Sequence, residues 1–345
     1  MFYKTFNNKK ISFADFVDYS LYGPQGYYKN TKNISKNGDF LTSPSISKFY
    51  SYAIASHLID KCSFNNKMYL VEAGSNDGSC MKHVIDYLEN NISKKQFSSL
   101  SFITIEKNVN QHKNIAFNLQ KYKDRLLILE DISSISDTFE NAIFFSNELF
   151  DAFPFHRCVF KNNNLHQINL VVKKDTINEV VELADNDLLE LIEKYKLQFI
   201  NNIFFESPIQ HLEKYFDDLS NIFLNLYILI NDYGDKSIHY HTSPDPYGTA
   251  RVFYKHEVSR NFYENISRQD ITYDVNFSLL KLVAEKFGFK ESYYSSQTNF
   301  FLNNKFILNQ ISDINLKNIK KLIDPHQMGE RFKFISFLKK KKPDI

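Results

Sequence analysis

Three groups of polar residues in this chain have the types and spacing to bind or activate a small molecule. In the first, the apolar run 68–73 contains Glu72 near its end, and the loop Gly74-Ser75-Asn76-Asp77-Gly78 follows. Glycine permits a positive φ and a close approach of backbone to ligand. The chain has only 9 glycines in 345 residues, so two of them four positions apart are informative. This strand–loop–helix pattern predicts a nucleotide or cofactor site.

The second group consists of acidic residues that end the next two apolar runs. Glu106 ends the run 101–106, and Glu130 and Asp131 follow the run 126–129. A carboxylate after the second strand can accept both hydroxyls of a ribose but repels a phosphate there. Glu106 therefore suits a nucleoside cofactor such as S-adenosylmethionine or NAD. The acids Glu72 and Asp77 fit the cationic sulfonium of S-adenosylmethionine better than a pyrophosphate. The alternative for Glu106 is that it only caps the next helix.

The third group is the segment 146–154, with Asn147, Glu148 and Asp151. Glu148 and Asp151 are three positions apart, so a helical turn would place them on one side. Two carboxylates there can hold a guanidinium by charge-assisted hydrogen bonds, or take a proton from a nitrogen nucleophile. The alternative is that they stabilise the first turn of a helix.

These groups need an open sheet to bring them together, because ligands of such sheets bind beyond the carboxyl ends of the strands. Between residues 68 and 147, apolar runs alternate with helical patterns. We therefore predict a parallel α/β sheet. Its predicted strands are 68–73, 101–106, 126–130, 142–146 and 226–230, with helices at 79–90 and 110–121. Further helices are predicted at 12–21, 46–61, 184–197, 209–219 and 277–287, a loop at 30–47, antiparallel strands around 166–172, and a last strand at 332–337.

The change of pattern after residue 155 suggests a division of the chain. We expect an N-terminal extension (1–62) that contributes to the site, a core (63–155 and 222–345), and an inserted cap or substrate segment (156–221). No internal repeat or long flexible linker separates these parts.

Composition excludes several classes of function. The net charge of +2 gives no electrostatic footprint for nucleic acid, and the run 339–342 is expected to be a solvated basic tail. The three cysteines suggest a reducing compartment and exclude a thiolate zinc motif. His239 and His241 have no third partner at a convincing metal-ligand spacing, so we predict no metal. The sequence contains neither a P-loop nor a Gly-x-Ser-x-Gly elbow, nor an apolar stretch long enough to span a membrane.

Taken in order, these blocks resemble the MidA family of class I S-adenosylmethionine-dependent methyltransferases. The resemblance covers residues 12–336. The blocks are 21–28 (LYGPQGYY), 38–44 (GDFLTSP), 71–74 (VEAG), 147–154 (NELFDAFP), 232–234 (DYG), 248–249 (GT), 270–272 (DIT), 297–302 (QTNFFL) and 328–333 (MGERFK). Single blocks are weak evidence, but nine in family order are specific.

The resemblance implies a Rossmann-like, mostly parallel seven-stranded core that binds S-adenosylmethionine. The region 38–44 would lie over the cofactor through Gly38, Asp39, Thr42, Ser43 and Pro44. The 72–78 loop would hold the methionyl part through Glu72, Gly74, Asn76 and Gly78, with Glu106 at the ribose and Asp131 near adenine. Asn147, Glu148 and Asp151 would face the methyl donor and the acceptor nitrogen, Asn147 also serving the cofactor.

Two positions depart from the family pattern. The loop usually reads Gly-Pro-Gly-x-Gly, and Asn76 replaces its middle glycine. A later block usually reads Asp-Ile/Leu-Thr-Ala-His-Val-Asp-Phe, and Asp274 replaces its histidine. A catalytically weakened cofactor-binding assembly factor is therefore one alternative. An NAD-dependent oxidoreductase is a second, against which stands the lack of a clean Gly-x-Gly-x-x-Gly.

The resemblance also implies a partner and a reaction. Mitochondrial members assist the assembly of respiratory complex I by methylating arginine on a core subunit, so a protein arginine N-methyltransferase is expected. The resemblance begins near residue 12, so we expect no room for a mitochondrial presequence. We therefore expect a bacterial cytoplasmic protein. The residues do not indicate an oligomeric state.

Overall fold

The computed structural model describes residues 1–29, 42–237, 245–310 and 316–341. The strands are β1 (Lys9–Ser12), β2 (Met68–Ala73), β3 (Leu100–Ile105), β4 (Leu126–Leu129), β5 (Phe139–Asn147), β6 (His156–Lys161), β7 (Asn164–Lys173), β8 (Thr176–Leu183), β9 (Phe204–Ser207), β10 (Phe223–Asp235), β11 (Arg251–Tyr254), β12 (Glu257–Ser259), β13 (Asp270–Thr272), β14 (Val275–Asn276), β15 (Lys290–Ser296) and β16 (Phe332–Lys339).

The α-helices flank these strands. They are α1 (Phe2–Phe6), α2 (Phe13–Tyr22), α3 (Ser43–Ile46), α4 (Lys48–Lys61), α5 (Ser79–Asn91), α6 (Lys94–Ser98), α7 (His112–Asn118), α8 (Asn186–Lys194), α9 (Ile209–Ile222), α10 (Phe277–Lys286), α11 (Gln297–Leu302), α12 (Lys305–Gln310) and α13 (Leu316–Ile323). In the described part of the chain, no helix is long and apolar enough to cross a bilayer.

The central sheet has the order β15-β16-β10-β5-β2-β3-β4, and β14 pairs with the end of β10. The strands from β10 to β4 are mutually parallel, whereas β16 runs antiparallel to both of its neighbours. The carboxyl ends of β2, β3, β4, β5 and β10 therefore lie along one edge. This arrangement confirms the predicted mostly parallel α/β core.

Helices cover both faces of this sheet, because its strands are apolar on both sides. Adjacent residues of a strand point to opposite faces. Leu70 accordingly packs in the core that contains α4 and α5, while Val71 packs in the core that contains α9 and α10. The helix α9, which ends the inserted segment, thus belongs to the packing of the central sheet.

A second, antiparallel sheet joins the N-terminal region to the inserted segment. Its order is β1-β7-β6-β9, and β8 pairs with the other edge of β7. A third sheet has the order β12-β11-β13, and its Val252 shares a buried cluster with Ile168 of β7. Phe13 of α2, Phe155 before β6 and Ile271 of β13 share one buried cluster. The predicted antiparallel strand around 166–172 is confirmed as part of β7.

Several predicted boundaries need correction. The predicted helix 110–121 ends at Asn118, and a 3₁₀ stretch, Gln120–Arg125, completes the connection to β4. The predicted loop 30–47 contains α3, in which Pro44 occupies the first turn, where its missing N–H costs nothing. Residues 30–41 of that loop lie outside the described residues.

Candidate functional site

The loop after β2 turns by means of three positive φ angles: 72° at Gly74, 47° at Asn76 and 77° at Gly78. A Cβ added at Gly74 would meet only Leu149 Cδ1, at 3.5 Å, so its φ angle rather than crowding requires glycine. Asn tolerates the left-handed region better than most residues. The departure at Asn76 therefore leaves the turn intact.

Glu106 joins this loop to the end of β3. Its Oε2 accepts the Asn76 N–H at 2.8 Å, and its Oε1 accepts the Asn108 N–H at 2.8 Å. Burial raises the pKa of Glu106, and these two N–H groups lower it. The helix α7 begins only at His112, so Glu106 is not its cap. Each carboxylate oxygen has a lone pair left for a further donor.

Glu72 is also buried, but its carboxylate turns toward the start of α5. Its Oε2 accepts the Met81 N–H at 3.2 Å, and burial raises the pKa of Glu72 to about 8. At neutral pH this side chain is therefore largely protonated. Its predicted contact with a cofactor stays a prediction.

Asp131, at the predicted adenine corner, shapes the turn after β4. Its Oδ1 accepts the Ser133 N–H at 2.9 Å and the Ser133 hydroxyl at 2.8 Å. Partial burial works against ionisation, but these bonds and the charge of Lys107 hold the pKa of Asp131 below its usual range. A charged Asp131 therefore stands at this corner of the site.

The segment after β5 differs from the predicted helical turn. Glu148 has a φ of 49°, and only Phe150–Ala152 form a 3₁₀ turn. The turn is held from β10, because Asp232 Oδ2 accepts the N–H groups of Leu149 (3.2 Å), Phe150 (2.9 Å) and Asp151 (3.3 Å). The prediction that a helix aligns Glu148 with Asp151 is therefore wrong.

A chain of side chains fixes Asn147 and Glu148. The Tyr50 hydroxyl of α4 lies 2.7 Å from Asn147 Oδ1 and 2.8 Å from Asn231 Oδ1. Asn147 Nδ2 donates to Glu148 Oε1 at 3.0 Å, and the Ser43 N–H of α3 approaches the same oxygen at 3.4 Å. The predicted residues Ser43, Asn147 and Glu148 are thus brought together.

The two acids remain close without a shared helix. Burial, followed by the charge of Asp151, raises the pKa of Glu148 to about 8. Burial raises the pKa of Asp151 to about 6, against the opposing effects of the nearby Tyr233 hydroxyl and the charge of Arg251. Two neighbouring acids with separated pKa values can divide the roles of proton holder and charged partner.

Unpaired polar atoms mark the space that a ligand would fill. Five buried side-chain atoms near the carboxyl ends of the strands have no hydrogen-bond partner in the described chain: Ser43 Oγ, Asn76 Oδ1, Asn108 Nδ2, Ser146 Oγ and Asp151 Oδ1. Buried polar groups are normally paired. Donors and acceptors beside the Glu106 carboxylate fit a nucleoside with ribose hydroxyls and an amino-acid tail.

The sequence pattern of the Methyltransf_28 family, which comprises S-adenosyl-L-methionine-dependent methyltransferases, matches residues 53–295. The chain belongs to this family. Its cofactor is therefore S-adenosylmethionine, as the residues predicted.

Similar proteins agree with this membership. The chain is 23% identical to the mitochondrial protein arginine methyltransferase NDUFAF7 homolog of Drosophila melanogaster, with 96% of this chain and 82% of the relative covered. It is 22% identical to the mitochondrial protein arginine methyltransferase NDUFAF7 of Xenopus laevis, with 97% and 83% covered. The fold matches that of a COG1565 superfamily member from Burkholderia thailandensis, crystallised with S-adenosyl-homocysteine. Its TM-score is 0.81 at 18% identity, covering 97% of this chain and 89% of that one.

Not every predicted residue of this methyltransferase lies within the described part. Gly38 and Asp39 fall outside it, as do His239 and His241. Thr42 directly precedes α3, and Pro44 follows Ser43 in the first turn of that helix. Among the described residues, no three His, Cys, Asp or Glu side chains form a group that could hold a metal.

Sequence reasoning missed several residues that build the site of this methyltransferase. Tyr50 had no local signal, because its partners Asn147 and Asn231 are remote in sequence. Asp232 stood in a noted block at a strand end, but its hydrogen bonds to the 149–151 backbone depend on the pairing of β10 with β5. The available signal was that Asp232 is an acid at the end of a strand and had no predicted role in binding a ligand.

The position that lacks the family histidine has its own partners. Asp274 Oδ1 lies 2.6 Å from Arg251 Nη2 and 3.5 Å from Arg331 Nη2. Its backbone N–H donates to the Thr249 hydroxyl at 3.1 Å. Asp274 therefore binds two arginines of the methyltransferase in an ion-pair network.

We expect Asn76→Gly to preserve the site. The family glycine fits the same backbone, so the Kd of S-adenosyl-homocysteine should change by less than about threefold, and the free energy of unfolding by less than about 1 kcal/mol. Asn76→Val, β-branched at a positive φ, should destabilise the protein by about 1–2 kcal/mol and weaken binding. Calorimetric titration and urea unfolding measure both quantities.

A matched control separates strain from binding. Asn163 also has a positive φ, 60°, in the turn between β6 and β7. Asn163→Val should therefore lower stability without changing the Kd. If Asn76→Val binds S-adenosyl-homocysteine normally, the backbone of this loop does not shape the cofactor site.

Proposed function

We propose that this methyltransferase is a protein arginine N-methyltransferase, and that its acceptor is a subunit of respiratory complex I or a homologue of it. The observation that carries the proposal is the acid pair Glu148 and Asp151 at the end of β5. Carboxylates hold a guanidinium through charge-assisted hydrogen bonds. Support for arginine as the acceptor residue comes from the names of the Drosophila and Xenopus relatives, which are protein arginine methyltransferases.

The cofactor, when bound, supplies an electrophilic methyl group. We assign its ribose to Glu106, since this carboxylate has free lone pairs beside the unpaired Asn108 amide. Asn76 and the glycines of its loop would accommodate the methionyl part, and Asp131 the adenine corner. The Ser43 region, including Thr42 and Pro44, would cover the cofactor from α3. Gly38 and Asp39, which fall outside the described residues, are proposed to help cover the cofactor in the same way.

The acceptor nitrogen must meet the methyl group in line and must lose one proton in the reaction. Asp151 Oδ1, buried and without a partner among the described residues, is free to receive an acceptor N–H. Glu148 lies beside it and can hold the released proton at a carboxylate oxygen. Asn147 orients Glu148 through its amide. Positioning of this kind supplies much of the rate of a bimolecular transfer.

The competing reading is a cofactor-binding assembly factor without catalysis. Both functions need the cofactor, and the loop suits it, because Asn76 keeps the turn and its N–H donates to Glu106 Oε2 at 2.8 Å. Only methyl transfer separates the two functions.

We further propose a bacterial cytoplasmic location for the protein. Its three cysteines are free, which suits a reducing compartment. Cell fractionation tests this placement.

Labelled-methyl transfer into a lysate of a deletion strain tests the proposal. The purified protein and methyl-labelled S-adenosylmethionine should label one lysate protein, and mass spectrometry should find the label on arginine. Label on another residue type would refute the arginine assignment. Binding of S-adenosyl-homocysteine without any labelled protein would favour the assembly factor, and the absence of binding at millimolar ligand would refute both.

A further inference from the structure

The hydrogen-bonded side chains behind Glu148 include one acceptor more than their protons can serve. The Tyr50 hydroxyl, on α4, lies 2.7 Å from Asn147 Oδ1 and 2.8 Å from Asn231 Oδ1. A hydroxyl has one proton to donate, and both amide oxygens are acceptors. One proton therefore has to serve two oxygens, and one of them is left without a donor at any moment.

Each amide turns its oxygen toward Tyr50 because its nitrogen is used elsewhere. Asn231 Nδ2 donates to the Lys333 carbonyl of β16 at 3.1 Å. Asn147 Nδ2 donates to Glu148 Oε1 at 3.0 Å. The first bond fixes the amide of Asn231, since a backbone carbonyl can only accept. The second bond is conditional, because a carboxyl group only accepts when it is ionised but can also donate when it is protonated.

Burial makes the missing proton costly. Tyr50 is fully buried, and Asn231 is only 1% exposed. In the described part of the chain, the Tyr50 hydroxyl is the donor that reaches either amide oxygen. Burial also raises the pKa of Tyr50 well above its usual range, so the hydroxyl keeps its proton. An unpaired buried acceptor destabilises the protein, so an arrangement that pairs both oxygens should be favoured.

Such an arrangement becomes possible when Glu148 is protonated and the Asn147 amide makes half a turn. The acid then donates to Asn147 Oδ1, and Asn147 Nδ2 donates to the Tyr50 oxygen. The Tyr50 proton is left for Asn231 Oδ1. The torsion of a side-chain amide is soft, so this rotation needs no movement of the backbone. The protonated arrangement therefore has one hydrogen bond more than the ionised one.

We propose that Tyr50 and Asn231 are positioning residues that help Glu148 to hold the proton released by methyl transfer. The Tyr50 hydroxyl donates to Asn147 while the acid is ionised, and to Asn231 once the acid is protonated. As the acceptor nitrogen bonds to the methyl carbon, the electron pair of the broken carbon–sulfur bond stays on sulfur, and the proton of the nitrogen passes to Glu148. This role rests on the proposed function, but the rearrangement itself does not depend on the acceptor.

Other titratable groups also face Glu148 from the elements around it. They are Asp151 of the same segment, Asp232 near the end of β10 and Tyr50 of α4. Substitutions at Tyr50 and Asn231 leave both aspartates in place. A change in the titration of Glu148 in such variants therefore reports the hydrogen bonds that pass through Asn147.

Asn231→Leu tests the inference at a residue whose side chain bonds to Tyr50 and Lys333 rather than to Glu148. It removes an acceptor that the protonated arrangement needs, and leucine is close to asparagine in size. In protein labelled with ¹³C at the glutamate carboxyl carbon, the Glu148 resonance is assigned by its loss in Glu148→Gln. It should titrate at lower pH by about half a unit to one unit, the equivalent of one hydrogen bond.

Tyr50→Phe should shift this titration by a similar amount, because it removes one hydrogen bond from the ionised arrangement and two from the protonated one. Phenylalanine keeps the ring beside Phe301 and Phe334, with ring centres 6.2 Å away in both cases. In the double variant of Tyr50→Phe and Asn231→Leu, the shift should be no larger than in either single variant, because both changes remove the same bond.

Activity provides a second measurement on the same variants. The step of kcat/KM near pH 8 should move to lower pH together with the Glu148 resonance. Above about pH 9, where Glu148 is ionised, the rate of methyl transfer should fall about threefold, because a carboxylate with a lower pKa is a weaker base. The Kd of S-adenosyl-homocysteine should stay within about twofold, since neither side chain is assigned to the cofactor.

Tyr227→Phe is the matched control. Tyr227 lies in the same buried cluster as Tyr50, and its hydroxyl lies 2.8 Å from His57 Nε2. Loss of this hydroxyl should lower the urea midpoint without moving the Glu148 titration or the rate. A shift in this control as large as that in Tyr50→Phe would overturn the inference, because it would indicate a general effect of disturbing the core.

The remaining outcomes separate the inference from the proposed function. An unmoved or raised Glu148 titration in Asn231→Leu overturns the inference, as do additive shifts in the double variant. If the wild-type protein transfers no methyl group, the proposed function fails, and the titration of Glu148 still decides whether Tyr50 and Asn231 favour its protonated form.

Discussion

Replacing Glu148 with Gln is expected to lower the turnover of methyl transfer by at least about a hundredfold, the size of effect typical of a positioned acid or base. The Kd of S-adenosyl-homocysteine should change by less than about twofold. Glutamine keeps the local scaffold, because its carbonyl oxygen can accept from Asn147 Nδ2 and the Ser43 N–H as Glu148 Oε1 does. What it removes is the charge and the capacity to hold a proton.

The pH dependence provides a second measurement on Glu148. The pKa of this acid is raised to about 8, and that of Asp151 to about 6, so a form with both acids ionised accumulates as the pH rises through this range. The wild-type kcat/KM should therefore increase from pH 6 to pH 8. In Glu148→Gln, the rise near pH 8 should disappear while the step near pH 6 remains.

Glu148→Gln should raise the stability of the protein while it lowers the activity. A carboxyl group whose pKa is higher in the folded than in the unfolded chain binds an extra proton when folded, so its contribution to stability is lost as the pH rises from its unfolded pKa toward 8. Glu148→Gln removes this loss. Its urea midpoint should therefore rise relative to wild type between pH 5 and pH 8. A parallel fall in turnover, cofactor affinity and urea midpoint would show that Glu148 is structural.

The sequence predicted those elements correctly whose formation depends on neighbouring residues in the chain. The strand Met68–Ala73 agrees with its predicted bounds, because an apolar run that ends in glycine and turn residues has few alternatives. The same holds for α5, which begins at Ser79 directly after Gly78 in the left-handed conformation. Parallel topology alone predicts that the acids at the strand ends lie along one edge of the sheet. Glu106 and Asn76 meet at that edge, where the Asn76 N–H donates to the Glu106 carboxylate.

The details of the acid pair depend on contacts that sequence spacing does not encode. The spacing of Glu148 and Asp151 predicted a helical turn. Instead, Asp232 accepts three backbone N–H groups of the 149–151 segment, and these bonds hold the segment in a short 3₁₀ turn. Asp232 is more than 80 residues away, so only the pairing of β10 with β5 brings it there. Tyr50 was hidden for the same reason, since its hydroxyl meets residues from two other elements.

Replacing Glu106 with Gln is expected to raise the Kd of S-adenosyl-homocysteine about a hundredfold, because hydrogen bonds to a charged group are among the strongest and ribose offers two hydroxyls to this carboxylate. Glutamine also turns an amide toward the N–H of Asn76 or Asn108, which should lower the free energy of unfolding by about 1–3 kcal/mol. Calorimetric titration at several urea concentrations well below the midpoint separates the affinity from global unfolding.

Glu72→Gln is the matched control, since Glu72 lies near the end of the neighbouring strand and is buried to a similar degree. With its pKa raised to about 8, Glu72 is largely protonated at neutral pH, and glutamine imitates a protonated acid. Its effect on the Kd should stay below about threefold. A Glu72→Gln variant that loses as much affinity as Glu106→Gln would move the main cofactor contact to β2.

An analogue of S-adenosyl-homocysteine that lacks a ribose hydroxyl distinguishes a direct contact from a loop brace. If Glu106 accepts that hydroxyl, the deoxy analogue should bind the wild-type protein about tenfold more weakly and the Glu106→Gln variant with no further loss, because the two changes remove the same bond. Fully additive losses would mean that Glu106 only holds the 74–78 loop through Asn76 and Asn108. The ribose would then depend on another residue, and the unpaired Asn108 amide beside Glu106 would be the first candidate.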